Sequence, residues 1–262
     1  YNPNDRSQIK PALFRNRAIT DIIEPGSTFK PLVIAAALES GRFNAHSAVD
    51  TSPGFIRIGK KPIEDKHNYG RINLATILAK SSNVGMVHVA MQLDKEALWN
   101  TLSRFGTGRL TTSGFPGESA GVLVPYQSWR PIGQATLAYG YGLSMTPLQL
   151  AQAYAVLAAD GLHRPLSLVR IAQAPIVRRV VSPQVARDVL TMLEQVVTRE
   201  GTGLKAAVTG YRVAGKTGTA RKLTATGYSG DRHTAVFAGV TPVDHPRFAI
   251  VVVVDDPQGN VY

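Results

Sequence analysis

A serine and a lysine stand three positions apart where a Pro-Gly turn leads into an apolar run. We predict a helix from Thr28 to Gly41, which places Ser27 and Lys30 on one face at its start. A serine hydroxyl becomes a good nucleophile only when a neighbouring group removes its proton. Lysine can accept that proton only as the neutral amine, which partial burial and the positive end of the helix dipole both favour. The pair therefore predicts nucleophilic acyl chemistry at Ser27.

Two other serines could compete with Ser27. Ser7 also precedes a lysine by three positions, but it has no Pro-Gly turn before it and no apolar helix after it, so we interpret it as surface. Ser119 fits the Gly-x-Ser-x-Gly pattern of a nucleophile elbow, which requires a preceding strand and a following helix. The segments that flank Ser119 are rich in glycine and proline. We therefore prefer Ser27 to both.

A second polar group, Ser81-Ser82-Asn83, interrupts a helical run that extends from Ile77 to Val89. Buried hydroxyls and amides are costly unless they find hydrogen-bond partners. One interpretation is a break in the helix, with these side chains bonded to nearby backbone. The functional interpretation is that Ser81 relays a proton and Asn83 holds a substrate amide.

A third group, Lys216-Thr217-Gly218-Thr219, lies in a predicted strand. A glycine inside a strand often marks the close approach of a ligand or of another backbone segment. A cation flanked by hydroxyls is suited to bind a carboxylate. An ordinary edge strand would explain the same residues without a function.

Helices and strands of the right type surround these three groups. We predict further helices at 98–105 and 148–160, and one that Ser182 caps and Pro183 opens. Three successive strands follow, at 211–220, 233–240 and 247–255, and short links between them favour antiparallel pairing. The pattern indicates an α+β domain with a helical lobe at about 42–180 and a sheet part at about 205–262.

Composition excludes several classes of protein. The net charge of +11 is scattered along 262 residues without a nucleic-acid-binding signature, so we expect no nucleic-acid partner. The absence of cysteine excludes disulfides and thiolate chemistry, and the widely spaced histidines predict no metal site. The longest apolar run, Phe248 to Val254, is too short to cross a bilayer. We expect any membrane anchor to lie outside this sequence.

The three groups occur in the order of the motifs shared by β-lactamases and penicillin-binding proteins. The chain resembles the division-type class B penicillin-binding proteins, the FtsI group, over nearly its whole length. The segments that carry this resemblance are residues 17–21, 24–31, 80–85, 139–143, 146–150 and 215–221.

The resemblance implies a serine D,D-transpeptidase that cross-links peptidoglycan stem peptides during cell division, is acylated by β-lactams and needs no cofactor. It implies the penicillin-recognising serine transferase fold, in which the active site lies between an all-helical lobe and an antiparallel sheet flanked by helices. The catalytic residues implied are Ser27, Lys30, Ser81, Asn83 and Lys216. The substrate-binding residues implied are Thr217, Gly218, Thr219, Tyr141 and Arg221. The backbone N–H groups of Ser27 and Thr219 would form the oxyanion hole.

The family pattern also implies partners and a location. We expect division-complex membrane proteins, among them a septal glycosyltransferase, at the periplasmic face of the bacterial inner membrane. Family domains begin with a strand region before Tyr1 and end with a helix after Tyr262, so we expect this sequence to be shortened at both ends. Two alternatives share the motifs: a β-lactamase-like hydrolase and a non-catalytic penicillin sensor.

Overall fold

The computed structural model describes Asn4, Ser7 and residues 14–60, 62–173, 175–224 and 227–258. Most of the lead-in predicted for the first twenty residues lies outside this range. The helices in the described part are α1 (Arg17–Thr20), α2 (Lys30–Glu39), α3 (Leu74–Lys80), α4 (Asn83–Met91), α5 (Lys95–Arg104), α6 (Pro131–Leu137), α7 (Pro147–Ala158) and α8 (Pro183–Val196). The strands there are β1 (Ala48–Asp50), β2 (Phe55–Arg57), β3 (Pro62–Glu64), β4 (Arg71–Asn73), β5 (Leu162–His163), β6 (Arg178–Arg179), β7 (Ala214–Thr224), β8 (Gly227–Thr241) and β9 (Phe248–Asp255).

The predicted three-stranded antiparallel sheet is confirmed, in the order β7-β8-β9. Lys216 pairs with Ala238, and Val236 pairs with Val253. The first strand begins at Ala214 rather than at 211, and the β7–β8 hairpin continues well past the predicted strand ends. The residues near the end of this hairpin do not alternate between apolar and polar. The two strands are therefore extended there by backbone pairing, which the side-chain pattern did not indicate.

The central helix is α2, and its residues from Leu32 to Ala37 are almost completely buried. A helix that is apolar on every side belongs in a core, and α2 packs against α5 and α8. Pro31 lies in the first turn, where its missing N–H leaves no intrahelical bond unmade. Gly41 follows the helix with φ +71°, a conformation in which glycine carries no steric penalty.

Two helices cover the inner face of the sheet. The side chain of Ser182 caps α8 by accepting a hydrogen bond from the Val185 N–H, as predicted, and α8 packs on β7. Thr146 and Gln149 form a capping box that starts α7, which packs on β8 and β9. No helix in the described part of the chain is long and apolar enough to cross a membrane.

The predicted lobe at 42–180 is not all helical, which corrects that expectation. It contains β1 paired with β4, β2 paired with β3, and β5 paired with β6. Each of these strands has two or three residues, which is too short for an alternating pattern to be read from the sequence. The helical run from Ile77 to Val89 is also divided, because α3 ends at Lys80 and α4 begins at Asn83.

Candidate active site

The turn before α2 presents Ser27. Residues Gly26–Phe29 form a 3₁₀ helix, and the α-helix begins only at Lys30, which corrects the predicted start. Residues three apart eclipse one another in a 3₁₀ helix, so Ser27 and Lys30 lie on the same side of the chain. Ser27 is partly exposed, whereas Lys30 is fully buried. The serine is therefore accessible to a ligand and the lysine is shielded from water.

A glycine-containing loop and a buried tyrosine hold this turn in place. The Gly26 N–H donates to the Gly140 carbonyl over 3.1 Å. Gly140 has φ +86°, and a Cβ there would lie 2.0 Å from the Gly26 carbonyl oxygen. From α7, the buried Tyr154 hydroxyl donates to the Thr28 carbonyl over 2.9 Å. The position of Ser27 therefore depends on close backbone packing that only glycine permits at 140.

The amine of Lys30 faces the second polar group. Its Nζ lies 2.6 Å from the Ser81 carbonyl oxygen, 2.8 Å from Asn83 Oδ1, 3.2 Å from the Ser82 carbonyl oxygen and 3.2 Å from Ser81 Oγ. A neutral amine has two N–H donors and one lone pair. It can therefore donate to two of these oxygens at a time, while its lone pair is available to accept a proton.

The Ser27 hydroxyl has no hydrogen-bond partner within the described residues, so the lysine is engaged with Ser81 and Asn83 rather than with Ser27. Catalytic hydrogen bonds are often long or poorly aligned before substrate binds, and they tighten in the complex with substrate. The geometry thus places an accessible serine hydroxyl and an enclosed lysine amine on the same side of the chain, without a hydrogen bond between them.

The break at Ser81 confirms the first interpretation of the second group, an interruption of the helix. Ser81 has φ 58° and ψ 37°, in the left-handed region, and it ends α3. The Ser82 side chain caps α4 by accepting from the Gly85 N–H over 2.8 Å. The helix interruption is real, and it turns Ser81 and Asn83 toward Lys30.

The strand β7 lies against the turn Gly26–Phe29 that carries Ser27, the nucleophile turn of the proposed chemistry. A Cβ at Gly218 would lie 3.0 Å from the Pro25 carbonyl oxygen, and one at Gly26 would lie 3.5 Å from the Thr219 carbonyl oxygen. The predicted close approach at Gly218 is therefore made by backbone. It brings the Thr219 segment beside the turn that carries Ser27.

Lys216 and Thr217 have well-defined neighbours. Lys216 is fully buried, and its amine donates to the Thr217 carbonyl over 3.0 Å. The Thr217 hydroxyl lies 2.7 Å from the hydroxyl of Thr202, in the segment after α8. Two adjacent hydroxyls can share the oxygens of a carboxylate. Thr202 could not be predicted from residue types, because its contact with Thr217 joins two segments whose relative position is set by tertiary packing.

Burial changes the protonation of both lysines. Burial is the main cause that lowers the pKa of Lys30 well below its ordinary value, the charge of Lys216 lowers it further, and the charge of Asp65 opposes both. Burial lowers the pKa of Lys216 to about 7. Burial of this kind favours the neutral form of a lysine amine over its charged form.

Tyr141 and Arg221 are brought together at the edge of the site. The Tyr141 hydroxyl accepts from the Arg221 N–H over 3.3 Å, and the ring of Tyr141 makes edge contacts with Tyr139 and Tyr228. Glu24 ties this aromatic cluster to the nucleophile turn, because its Oε1 accepts from the Gly142 N–H and from the Tyr228 hydroxyl. In the sequence, only its position directly before the Pro-Gly turn indicated that Glu24 lies near the site.

The competing serines lack a comparable setting. Ser119 lies in an irregular segment, with neither a strand before it nor a helix after it, so the elbow hypothesis is wrong. Its N–H donates to the Ile19 carbonyl and its hydroxyl accepts from the Gly121 N–H, which are the contacts of a loop residue. Ser7 is exposed, and Lys10 lies outside the described residues.

Known proteins are similar to this chain in sequence and in fold. The model of the penicillin-binding protein transpeptidase domain matches residues 1–262. The chain is 43% identical over its full length to the peptidoglycan D,D-transpeptidase FtsI of Escherichia coli and covers 44% of that protein. It is 40% identical over its full length to the probable peptidoglycan D,D-transpeptidase PenA of Neisseria gonorrhoeae and covers 45% of it. The chain thus spans less than half of these curated relatives.

A solved structure agrees with the same grouping. The apo transpeptidase domain of penicillin-binding protein 3 from Burkholderia pseudomallei superposes with a TM-score of 0.89 at 43% identity. The match covers 93% of this chain and 74% of that one. At this identity and coverage, the likeness extends to the sequence as well as to the fold.

Proposed function

This chain belongs to the penicillin-binding protein transpeptidase family, and on that premise we propose that it is a division-type peptidoglycan D,D-transpeptidase domain. It would cross-link stem peptides through an acyl-enzyme on Ser27. The observation that carries this proposal is the buried Lys30 amine, within hydrogen-bond reach of Ser81 and Asn83 and on the same side of the chain as an accessible serine. The resemblance in the sequence points to the same chemistry.

Acylation starts at the penultimate D-Ala carbonyl of a donor stem peptide. The Ser27 oxygen bonds to that carbon while its proton passes to the neutral Lys30 amine. The negative charge that develops on the carbonyl oxygen is held by the N–H groups of Ser27 and Thr219. When the tetrahedral intermediate collapses, the C–N bond breaks and the terminal D-Ala leaves with a proton that Ser81 relays from Lys30. An ester on Ser27 remains.

The second half-reaction transfers the acyl group. The amine of an acceptor stem peptide attacks the ester carbon, its proton returns through Ser81 and Lys30, and the C–O bond to Ser27 breaks. A new peptide bond forms and the serine hydroxyl is restored. A β-lactam follows only the first half, because its ring nitrogen stays tethered after the amide bond opens and keeps the site occupied.

Polar groups around the cleft would orient the donor. Asn83 holds a substrate amide, and Lys216, Thr217 and Thr219 receive the terminal carboxylate. The hydroxyls donate to that group, and its negative charge favours the protonated form of Lys216. Gly218 keeps β7 close to the nucleophile turn, and Tyr141 and Arg221 wall the cleft. The substrate lies between the part at about 42–180 and the sheet part at about 205–262.

The proposed setting follows from the reaction. Peptidoglycan stem peptides lie outside the cytoplasmic membrane, so we place the domain at the periplasmic face of the bacterial inner membrane, held by an N-terminal anchor of the whole protein. Its partners there would be division-complex membrane proteins, including the septal glycosyltransferase that makes the strands to be cross-linked.

Peptide turnover tests the proposed function. With a donor pentapeptide ending in D-Ala-D-Ala and an added amine acceptor, we expect release of D-Ala and formation of the acceptor adduct, measured by mass spectrometry. A β-lactam should give a long-lived adduct on the intact chain. Fast hydrolysis of the β-lactam would favour the β-lactamase-like alternative. A stable adduct without peptide turnover, under conditions in which a relative turns over, would favour the penicillin sensor.

Removal of one hydroxyl tests the carboxylate site. Thr217→Val keeps the shape of the side chain but loses the hydroxyl, so we expect acylation by a carboxylate-bearing penicillin to slow about ten- to a hundred-fold, the loss of one hydrogen bond to a charged group. Acylation by the methyl ester of the same penicillin should change little. The rate constants are measured by stopped-flow or by timed intact mass.

The control for this variant is Thr224→Val, the same change on the same strand at the hairpin end, where the hydroxyl donates to the Gly227 carbonyl. It should acylate at the parent rate. Equal slowing of the penicillin and of its ester by Thr217→Val would exclude carboxylate recognition by this hydroxyl.

A further inference from the structure

A carboxylate from a different part of the chain lies directly behind the Ser81-Ser82-Asn83 turn. Asp65 follows β3, and its N–H donates to the Gly54 carbonyl over 2.9 Å, which fixes it to the β2–β3 hairpin. We propose that Asp65 is a positioning residue for acylation, which holds this turn so that Ser81 and Asn83 face the lysine amine. The inference rests on the proposed function and extends it to a residue outside the three motifs.

The Asp65 carboxylate makes three hydrogen bonds to the turn. Its Oδ1 accepts from the Asn83 N–H over 2.5 Å and from the Val84 N–H over 3.2 Å. Its Oδ2 accepts from the Ser82 hydroxyl over 2.5 Å. These N–H groups belong to the first turn of α4, where backbone donors have no partner within the helix and the helix dipole favours a negative charge. The carboxylate therefore acts as a second cap beside Ser82.

The contacts of Asp65 stabilise a turn that contains an unfavourable backbone conformation. Ser81 holds a left-handed backbone at φ 58°, which is unfavourable for a residue other than glycine. Such a conformation persists only when the surrounding contacts determine it. On the side of α4, the contacts are those of Ser82 with Gly85 and those of Asp65 with the next two backbone N–H groups.

Asp65 affects Lys30 in two ways, through the position of the turn and through its own negative charge. Two of the oxygens within reach of its amine are the backbone carbonyls of Ser81 and Ser82, and a third is Asn83 Oδ1, so all three move if the turn relaxes. The ionisable groups whose charges act on Lys30 are Lys216, which lowers its pKa, and Asp65, which raises it. A neutral replacement of Asp65 should therefore change both the rate and the pH at which the lysine loses its proton.

The test compares acylation by a penicillin across pH 5 to 9 in the parent chain and in Asp65→Asn. The amide keeps an acceptor for the α4 N–H groups but loses the charge and the acceptor for the Ser82 hydroxyl. We expect the plateau rate constant to fall roughly ten- to a hundred-fold, as small displacements of catalytic groups do. The rise of the acylation rate constant with pH (the rising limb) should also move to lower pH, because the pKa of Lys30 falls when the negative charge is removed.

Two further variants separate the possible outcomes. Ser82→Ala removes one partner of Asp65 but keeps the charge, so it should lower the plateau without moving the limb. Asp94→Asn changes the corresponding N-cap carboxylate of α5, which accepts from the Ala97 N–H, and should leave both quantities unchanged.

The inference would be overturned if Asp65→Asn had the plateau rate constant of the parent and its acylation rose at the same pH. It would also be overturned if Asp65→Asn only melted at a lower temperature, while its folded fraction reacted as the parent does at every pH. If Asp65→Asn does not fold, a parent-like plateau in Ser82→Ala overturns it instead. Failure of the proposed function is distinguishable, because the parent chain itself would then form no adduct.

Discussion

Replacement of Ser27 by alanine is expected to abolish the covalent β-lactam adduct and all peptide turnover. The proposed acyl-enzyme is an ester on the Ser27 oxygen, and without that oxygen this ester cannot form. In serine hydrolases, loss of the nucleophile lowers kcat by about a million-fold, and the residual rate comes from binding and the oxyanion hole alone. Intact mass after incubation with a β-lactam, followed by peptide mapping, measures the adduct.

The fold should survive this change. Ser27 is partly exposed, and its hydroxyl has no hydrogen-bond partner within the described residues, so its removal leaves no buried group unpaired. The melting temperature of Ser27→Ala should therefore match that of the parent. Ser119→Ala is the control and should be labelled normally. An adduct that maps to Ser119, or to any serine other than Ser27, would contradict the assignment of the nucleophile.

Local signals were sufficient to predict the main elements of this fold. The apolar run after Lys30, the Ser-Pro start of α8 and the valine-rich last strand each encode their structure within a few residues. The order of the three motifs indicated the family, and the match to the transpeptidase family over the whole chain confirms that recognition. Short strands such as β1 and β4 were missed, because three residues carry no readable period.

Contacts between distant segments could not be predicted from residue types. The apolar pattern continues on both sides of Ser81, so nothing local indicated a left-handed residue there. Asp65 reads as one more charge in a loop-rich segment, and its contact with Asn83 exists only after the β2–β3 hairpin has packed on α4. Tyr154 carried a weak signal, since a hydroxyl in an apolar helix needs a partner.

Loss of the general base should have the second largest effect. Lys30→Met keeps most of the side-chain volume but removes the amine, so we expect acylation to fall about a hundred- to ten-thousand-fold, the usual contribution of a positioned base. The parent rate should rise with pH as the amine loses its proton. Because burial and the charge of Lys216 lower the pKa of Lys30, this rise should occur well below the pH at which an ordinary lysine titrates. Lys30→Met should lose that limb, and stopped-flow acylation from pH 5 to 9 measures it.

Lys30→Arg distinguishes the role of the proton from the role of the charge. Arginine remains protonated throughout the pH range of proteins, so it can hold a positive charge at this site but cannot accept the serine proton. It should therefore be as slow as Lys30→Met. Lys95→Met removes an amine on α5 that donates to the Trp129 carbonyl, and it should react as the parent does. Activity retained in Lys30→Arg would mean that the lysine acts by its charge. The base would then have to be sought at Ser81 or at Lys216, whose pKa burial lowers to about 7.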